Sequence, residues 1–323
     1  MKLAGLLVAI AACASPNSPQ QPVSPLPPDH AIPEDAGASA ETEATPPVPA
    51  KTDPSKIVWP VFPTIGAVPP SHPTGDPITI PSPIVKVGDK HNRLIAGTFE
   101  QHYVHDKDTR YQLTKRDFDL DVEVLAVDAN HASRLEVDAN KANEWIALAD
   151  APTTTPRQSM PLLQGTYTVA ADSGRDGVKV TRGPGMEVYS RETEELGGLF
   201  ADELGAPDTT LVFLRAKRLR LGEVVPLTDA DKKTLGGEDL TGTFSIALIA
   251  ADAKTVTYQM DIDATGTNGT VGDKPSIRMR ATIKFERATG YLMAMTRVTH
   301  KLDKAGDTVD DTFATESMTY TRR

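Results

Sequence analysis

Phe118, Leu120, Val122, Val124 and Ala126 alternate with Asp119, Asp121, Glu123 and Leu125. Successive side chains of a strand point to opposite faces, so this run predicts a sheet with one face in a core and one in water. Asp128-Ala129-Asn130-His131 supplies turn formers, after which Leu135 and Val137 alternate with Arg134, Glu136 and Asp138; together they predict a hairpin. A second hairpin follows the same plan, with Phe244, Ile246 and Leu248 leading to Asp252-Ala253-Lys254 and Tyr258, Met260 and Ile262 on the return. Residues 135–139 and 260–264 match 125 positions apart, and Asp128 and Asp252 match 124 apart. Internal duplication and chance similarity between two amphipathic hairpins both account for the match.

Further strands are expected through Ile277, Met279, Ala281 and Ile283, and from Tyr291 to Val298 after the turn Arg287-Ala288-Thr289-Gly290. Phe313, Met318 and Tyr320 predict a last strand that closes or edges the sheet. A helix is expected over 187–204, where Leu196, Leu199, Phe200 and Leu204 share a face. Its Gly197-Gly198 pair costs about 1 kcal/mol per glycine relative to alanine, which favours a break there. Thr228, with Asp231 three residues on and Gly236 behind, predicts a short capped helix. Arg215, Lys217, Arg218 and Arg220, set within Leu211-Val212-Phe213-Leu214 and Leu219-Leu221, read as a strand face, either solvated or meeting anionic head groups or an acidic partner. The fold class is therefore mainly β: an antiparallel sheet, curved or half-open as a barrel, with one or two helices packed on it, and with 84–150 and 160–323 as its two halves if the match is a duplication.

Composition separates this domain from what precedes it. Of 26 prolines, 19 lie at or before Pro83, in a stretch with seven acids from Asp29 to Asp76 against Lys51 and Lys56. Such a segment buries too little apolar surface to offset chain entropy, so residues 13–83 are expected to form a disordered tether and 84–323 the folded domain. Over residues 14–80 the tether would extend roughly 200 Å as polyproline II or average about 45 Å as a flexible coil. Ile57-Val58-Trp59-Pro60-Val61-Phe62 is more apolar than a spacer needs. It reads either as a strap packed onto its own domain or as a short linear motif for an envelope partner. The net charge of -10 lacks the basic excess of a nucleic-acid binder, and a single cysteine leaves no disulfide to hold the fold.

That cysteine ends the run Leu3-Ala4-Gly5-Leu6-Leu7-Val8-Ala9-Ile10-Ala11-Ala12-Cys13, which is about half the length of a membrane-spanning helix. Ile10-Ala11-Ala12-Cys13 resembles the lipobox of bacterial lipoproteins. The resemblance implies removal of residues 1–12 as a signal peptide, thioether lipidation of Cys13 and acylation of the new amino terminus. Two or three acyl chains would hold the protein on a membrane permanently. Ala14 stands where many inner-membrane lipoproteins carry aspartate, so the resemblance favours the outer membrane of the cell envelope.

An antiparallel sheet under a helix, behind a lipid anchor, is similar to the lipoprotein carrier and receptor superfamily of the bacterial envelope. In that family a half-open β-barrel with a helical lid holds acyl chains. The strand ending Leu219-Arg220-Leu221-Gly222-Glu223 and the turn Ala288-Thr289-Gly290 also resemble uncharacterised secreted bacterial proteins. The carrier likeness implies an apolar cavity between sheet and helix, for which Leu199, Phe200, Met260 and Met279 are the candidate lining residues.

Chemistry is sparse. His102 and His105 with Asp106 and Asp108 resemble a metal site only if a turn gathers them, because strand residues three apart face opposite ways. Asp261, Asp263, Thr265 and Gly266 mimic the opening of a calcium loop, yet Gly272 stands where the bidentate glutamate belongs. No Gly-x-Ser-x-Gly elbow occurs, and no cysteine remains as a nucleophile once Cys13 is lipidated. No catalytic residue, metal or cofactor is assigned. The expected function is a noncatalytic envelope lipoprotein that binds a protein partner or joins a surface assembly. A carrier or sensor of a lipid or other apolar ligand is the first alternative, and an unrecognised hydrolase the second.

Overall fold

The computed structural model describes residues 61–105, 108–129, 131–149, 157–159, 161–162, 164–172, 177–183, 186, 188–204, 208–235, 240–266 and 276–323. Cys13, its lipobox, Asp106, Gly236 and Gly272 lie outside them. The strands are β1 (Thr74–Ile78), β2 (Lys90–His105), β3 (Asp108–Asp128), β4 (His131–Ala149), β5 (Arg157–Ser159), β6 (Gly165–Asp172), β7 (Gly177–Arg182), β8 (Leu219–Leu221), β9 (Val224–Pro226), β10 (Leu240–Ala251), β11 (Thr255–Gly266), β12 (Ser276–Glu286), β13 (Leu292–Ala305) and β14 (Thr308–Arg322). Three short helices accompany them: α1 (Ser190–Phe200), α2 (Thr209–Ala216) and α3 (Asp229–Thr234).

One open antiparallel sheet carries the domain, in the order β7-β6-β4-β3-β2-β14-β13-β12-β11-β10-β9, with β5 beside β4 and a separate β1–β8 pair. Two meanders run the same way across it. The first comprises β2 to β7 and the second β9 to β14, so β6 and β7 belong to the first meander although the expected half boundary put them in the second. Both expected hairpins are present, and the matched segments of β4 and β11 each bury alternate residues: Leu135, Val137 and Ala139 on one, Met260, Ile262 and Ala264 on the other.

The last strand neither closes nor edges the sheet. β14 pairs with β2 from Thr308↔His105 to Arg322↔His91 and so joins the two meanders at the centre. Its sequence carries the reason: Met318 and Phe313 are both buried, on opposite faces, as a central strand requires.

The inner face holds the main core. Phe118, Leu120, Val122 and Val124 of β3 pack there with Tyr258 of β11, Phe285 of β12 and the helices' Leu196, Phe200 and Leu214. The expected helix over 187–204 is shorter, at Ser190–Phe200, and continues as a turn that buries Leu204. Gly197-Gly198 does not break it. A Cβ on Gly197 would lie 3.0 Å from Val178 Cγ2, so the missing side chain lets α1 approach β7. α3 forms as expected: Thr228 Oγ1 accepts from Asp231 N at 3.2 Å, and an Asp231 carboxylate oxygen accepts from Thr228 N at 3.1 Å.

Residues 211–214 are helical, against the strand reading. Asp208 caps α2 by accepting from Thr210 N at 2.6 Å and Leu211 N at 3.3 Å, satisfying amides that a strand would have paired laterally. The basic residues consequently diverge. Arg215 donates to Gly290 O at 2.9 Å and lies over Phe285, and Lys217 pairs with Asp231 at 2.9 Å.

The folded part also begins earlier than residue 84. Phe62 is buried on the outer face, Arg280 donates to Gly66 O and Ala67 O at 3.0 and 3.1 Å, and His72 N donates to Gly222 O at 2.8 Å. β1 then pairs with β8, and Ile80 enters the main core. Residues 61–88 are therefore a strap around the sheet, although 61–83 were expected to belong to the tether; residues 57–60 of the apolar stretch lie outside the described residues. Composition missed it because backbone carbonyls and a few apolar anchors fasten it.

Candidate functional site on the outer face

The four expected ligand residues all belong to the main core or pack against it. Leu199 and Phe200 sit on α1 over Arg93 of β2, whereas Met260 and Met279 sit on β11 and β12 in the other meander. Phe200, Met260 and Met279 are at most 2% exposed and form part of the continuous core.

Charges on the inner face are engaged with one another. Arg297, Glu316, Gly97, Arg116 and Glu144 occupy one row across β13, β14, β2, β3 and β4. Arg297 pairs with Glu316, and the buried Glu144 accepts from Arg116 at 2.8 Å and from Arg191 of α1. Arg116 also meets Glu195 at 3.1 Å; burial pushes the Glu195 carboxyl up, against the pull of Arg116. This row clamps α1 to the sheet, because each cation is matched by a carboxylate. Beyond α1, burial pushes the Asp202 carboxyl up to about 6, helped by Asp208 and opposed by Arg93.

The expected metal and calcium readings dissolve into strand geometry. His102 faces outward, while His105 faces inward and shares a 2.6 Å hydrogen bond with Thr308 Oγ1. Asp108 pairs with Arg110. Asp261 and Asp263 lie along β11, where Arg280 meets the first at 2.6 Å and Arg278 the second at 3.3 Å. Among the described residues no group of three or more histidine, cysteine or acidic side chains is arranged to hold a metal.

A second, smaller aromatic core occupies the outer face. Phe62 stacks on His102 with centroids 4.6 Å apart and on Phe313 at 5.2 Å, and it meets His300 edge-on at 5.7 Å. His300 Nε2 is 2.7 Å from Asp311 Oδ1, and Tyr111 tilts against His102 at 5.5 Å. Burial lowers the His102 pKa, and the nearby Asp311 carboxylate partly offsets this.

Keeping His102 neutral gives this seat a pH dependence. Its contribution is complete above the unfolded value near 6.5 and is lost as pH falls through that value towards the lower folded one. Amide exchange over residues 61–67, corrected for intrinsic rates, is expected to accelerate between about pH 7 and about pH 5, and to do so less in His102→Phe. Equal acceleration in both proteins would assign the effect elsewhere, His300 and Asp311 being the neighbouring titratable pair.

Beside this core the outer face opens into a trough of about 530 Å³ across β4, β3, β2, β14 and β13. Ala96, Thr98, Trp145, Val298, Thr315 and Ser317 line it. Small side chains at its centre and Trp145 at one side make a concave, largely apolar seat. The Asp117–Lys141 pair stands at one end, and the strap with Phe62 at the other. Sequence reading missed this site because Ala96, Thr98, Thr315 and Ser317 are unremarkable until pairing sets them side by side; only the apolar stretch ending at Phe62 hinted at it.

No family model and no curated protein matches the sequence. Among solved structures, the chain is similar to one described as lipid-protein interactions in lipovitellin, with 6% identity and a TM-score of 0.38 over 74% of this chain. The match spans 25% of the lipovitellin chain. It is also similar to the S-type phycobiliprotein lyase CPES from Guillardia theta, with 12% identity and a TM-score of 0.16 over 72% of this chain and 87% of that one. These scores are too low to carry a shared ligand or activity to this protein.

Proposed function

We propose that this protein is a lipid-anchored protein of the bacterial cell envelope that holds a noncatalytic β domain at a distance from the membrane, for binding a protein partner. Two features support the reading: the lipobox-like Ile10-Ala11-Ala12-Cys13 and the proline-rich, acidic stretch behind it. The carrying observation is the strap. Phe62, the Gly66 and Ala67 carbonyls, the β1–β8 pair and Ile80 fasten the chain to the domain at successive points, so tension on an anchor would be shared among them. From Cys13 to Val61, polyproline-like extension would reach about 150 Å and a flexible coil about 40 Å.

The test is metabolic labelling with a clickable fatty acid, followed by detergent phase partition. The native chain is expected to take up label and enter the detergent phase. Cys13→Ser is expected to lose the label and move to the aqueous phase. An unlabelled native chain in the aqueous phase would overturn the anchor. A photo-crosslinker at Lys115, on the outer face, tests the partner separately: a discrete adduct in intact cells is expected, and its absence would count against display for binding.

A further inference from the structure

Charge on the outer face is arranged asymmetrically about β14. Leu94, Ala96 and Thr98 of β2 face outward, and the positions beside them on β14 and β13 hold serine, threonine, alanine and valine. No charged side chain interrupts these three rows on the three strands, where Leu94 is 45% exposed and Ala96, Thr296 and Thr319 are exposed with it. The flanking strands differ in sign. β3 presents Asp117, Asp119 and Asp121 on this face after Lys115, whereas β12 presents Arg278, Arg280 and Lys284. In the row of Leu94 the pairing runs from Asp119 through Leu94, Thr319 and Ala294 to Lys284. Among the described residues Asp119 accepts from Asn92 at 2.7 Å but has no cation in ion-pair range, and Lys284 has no carboxylate in range.

A contiguous uncharged patch on an exposed sheet marks an interaction surface, and here the flanks select the occupant. We propose that the patch is a homodimer interface, in which two copies pack face to face about a two-fold axis running along β14. That axis sets β3 of each copy over β12 of the other, aspartates against cations, whereas an axis across the strands would set β3 against β3. It also preserves the rows, so Asp119 of each copy meets Lys284 of the other, twice by symmetry. The roughly 30° between packed sheets displaces this pair by about 5 Å, which a lysine side chain spans. In the row of Thr98, Lys115 falls over Arg280, whose charge Asp261 answers at 2.6 Å. The strap crosses β12 at Arg280 and leaves Val68 41% exposed, and the same operation lays this ridge on the Trp145 side of the other copy's trough. Five strands about 4.8 Å apart and three rows about 6.8 Å apart make a patch on the order of 500 Å². A standard interface buries roughly 800 Å² per partner, so association is expected to be micromolar. The inference deepens the partner reading at this face and does not depend on the lipid at Cys13.

Charge reversal provides the test, because Asp119 and Lys284 stand four strand spacings apart in one copy, about 19 Å, and cannot pair there. Sedimentation equilibrium of the full chain carrying Cys13→Ser is expected to show a reversible monomer–dimer equilibrium in the micromolar range. Asp119→Lys and Lys284→Asp, each alone, are expected to weaken it about tenfold, and the two together to restore it. Ala96→Arg, at an exposed position in the centre of the patch, is expected to abolish the dimer while far-ultraviolet circular dichroism stays unchanged; Thr296→Arg serves if Ala96→Arg does not fold. A chain that stays monomeric throughout the micromolar range would overturn the proposal, as would a dimer indifferent to both arginines. Failure of the double reversal to restore association would overturn the axis along β14. Display for a different protein is read separately, by the mass of the adduct at Lys115 in cells, and survives a monomeric result.

Discussion

Replacing Arg93 by alanine is expected to destabilise the domain by about 3 kcal/mol, the lower end of the cost of removing one partner from a buried ion pair, because the Glu203 side chain is 26% exposed. Its guanidinium donates to Leu199 O at 2.7 Å and to a Glu203 carboxylate oxygen at 3.2 Å, between the rings of Phe200 and Tyr320. The side chain is 7% exposed, so water does not replace these contacts. Arg93 also places a cation at a helix C-terminus, where carbonyls lack intrahelical partners. Burial works to raise the Glu203 carboxyl; His91 and Arg93 outweigh it and hold it below the usual range. Without Arg93, the cation left beside Glu203 among the described residues is His91, 3.7 Å away. Urea denaturation measures the loss. Arg93→Met combined with Glu203→Gln is expected to recover part of it, because no half-buried carboxylate is then left unpaired. A loss below about 1 kcal/mol in Arg93→Ala would show that α1 does not depend on this cation.

Gly290→Val is expected to cost about 2–5 kcal/mol and to release the strap before the sheet unfolds. Gly290 has φ +72°, and a Cβ there would stand 1.8 Å from Pro81 O. The strap's backbone occupies the place of a side chain. Gly306 supplies the control: its φ is +60°, but a Cβ there would meet nothing within 4 Å. Gly306→Ala is expected to incur only the left-handed backbone cost of about 1–2 kcal/mol and to leave the strap in place. Hydrogen exchange separates the two. Faster exchange at residues 72–85 in Gly290→Val, with β2 to β4 still protected, is the expected pattern; uniform acceleration would show that strap and sheet open together.

The hairpins β3–β4, β10–β11 and β12–β13 were legible because each pairs neighbours in sequence, so local alternation and turn residues suffice. α3 was legible because its cap lies within four residues. α2 was not: Leu211, Val212, Phe213 and Leu214 carry the composition of a strand, and a single Asp208 cap overrides it. The strap was half legible. Its apolar start at residues 57–62 stood out, while its attachment through Gly66, Ala67, His72 and Ile80 depends on partners more than a hundred residues away.

Local chemistry in the chain sufficed for a β-rich domain behind a proline-rich segment, with alternating residues sorted to a wet and a dry face. That sorting needs only nearest neighbours, since a side chain's face follows from its parity. Which strands meet across the sheet is a different matter. The β2–β14 pairing, the row from Arg297 to Glu144 and the trough between Trp145 and Val298 all arise from contacts distant in sequence. Their formation depends on burying two incomplete meanders against each other, a free-energy gain that exists only once both are folded.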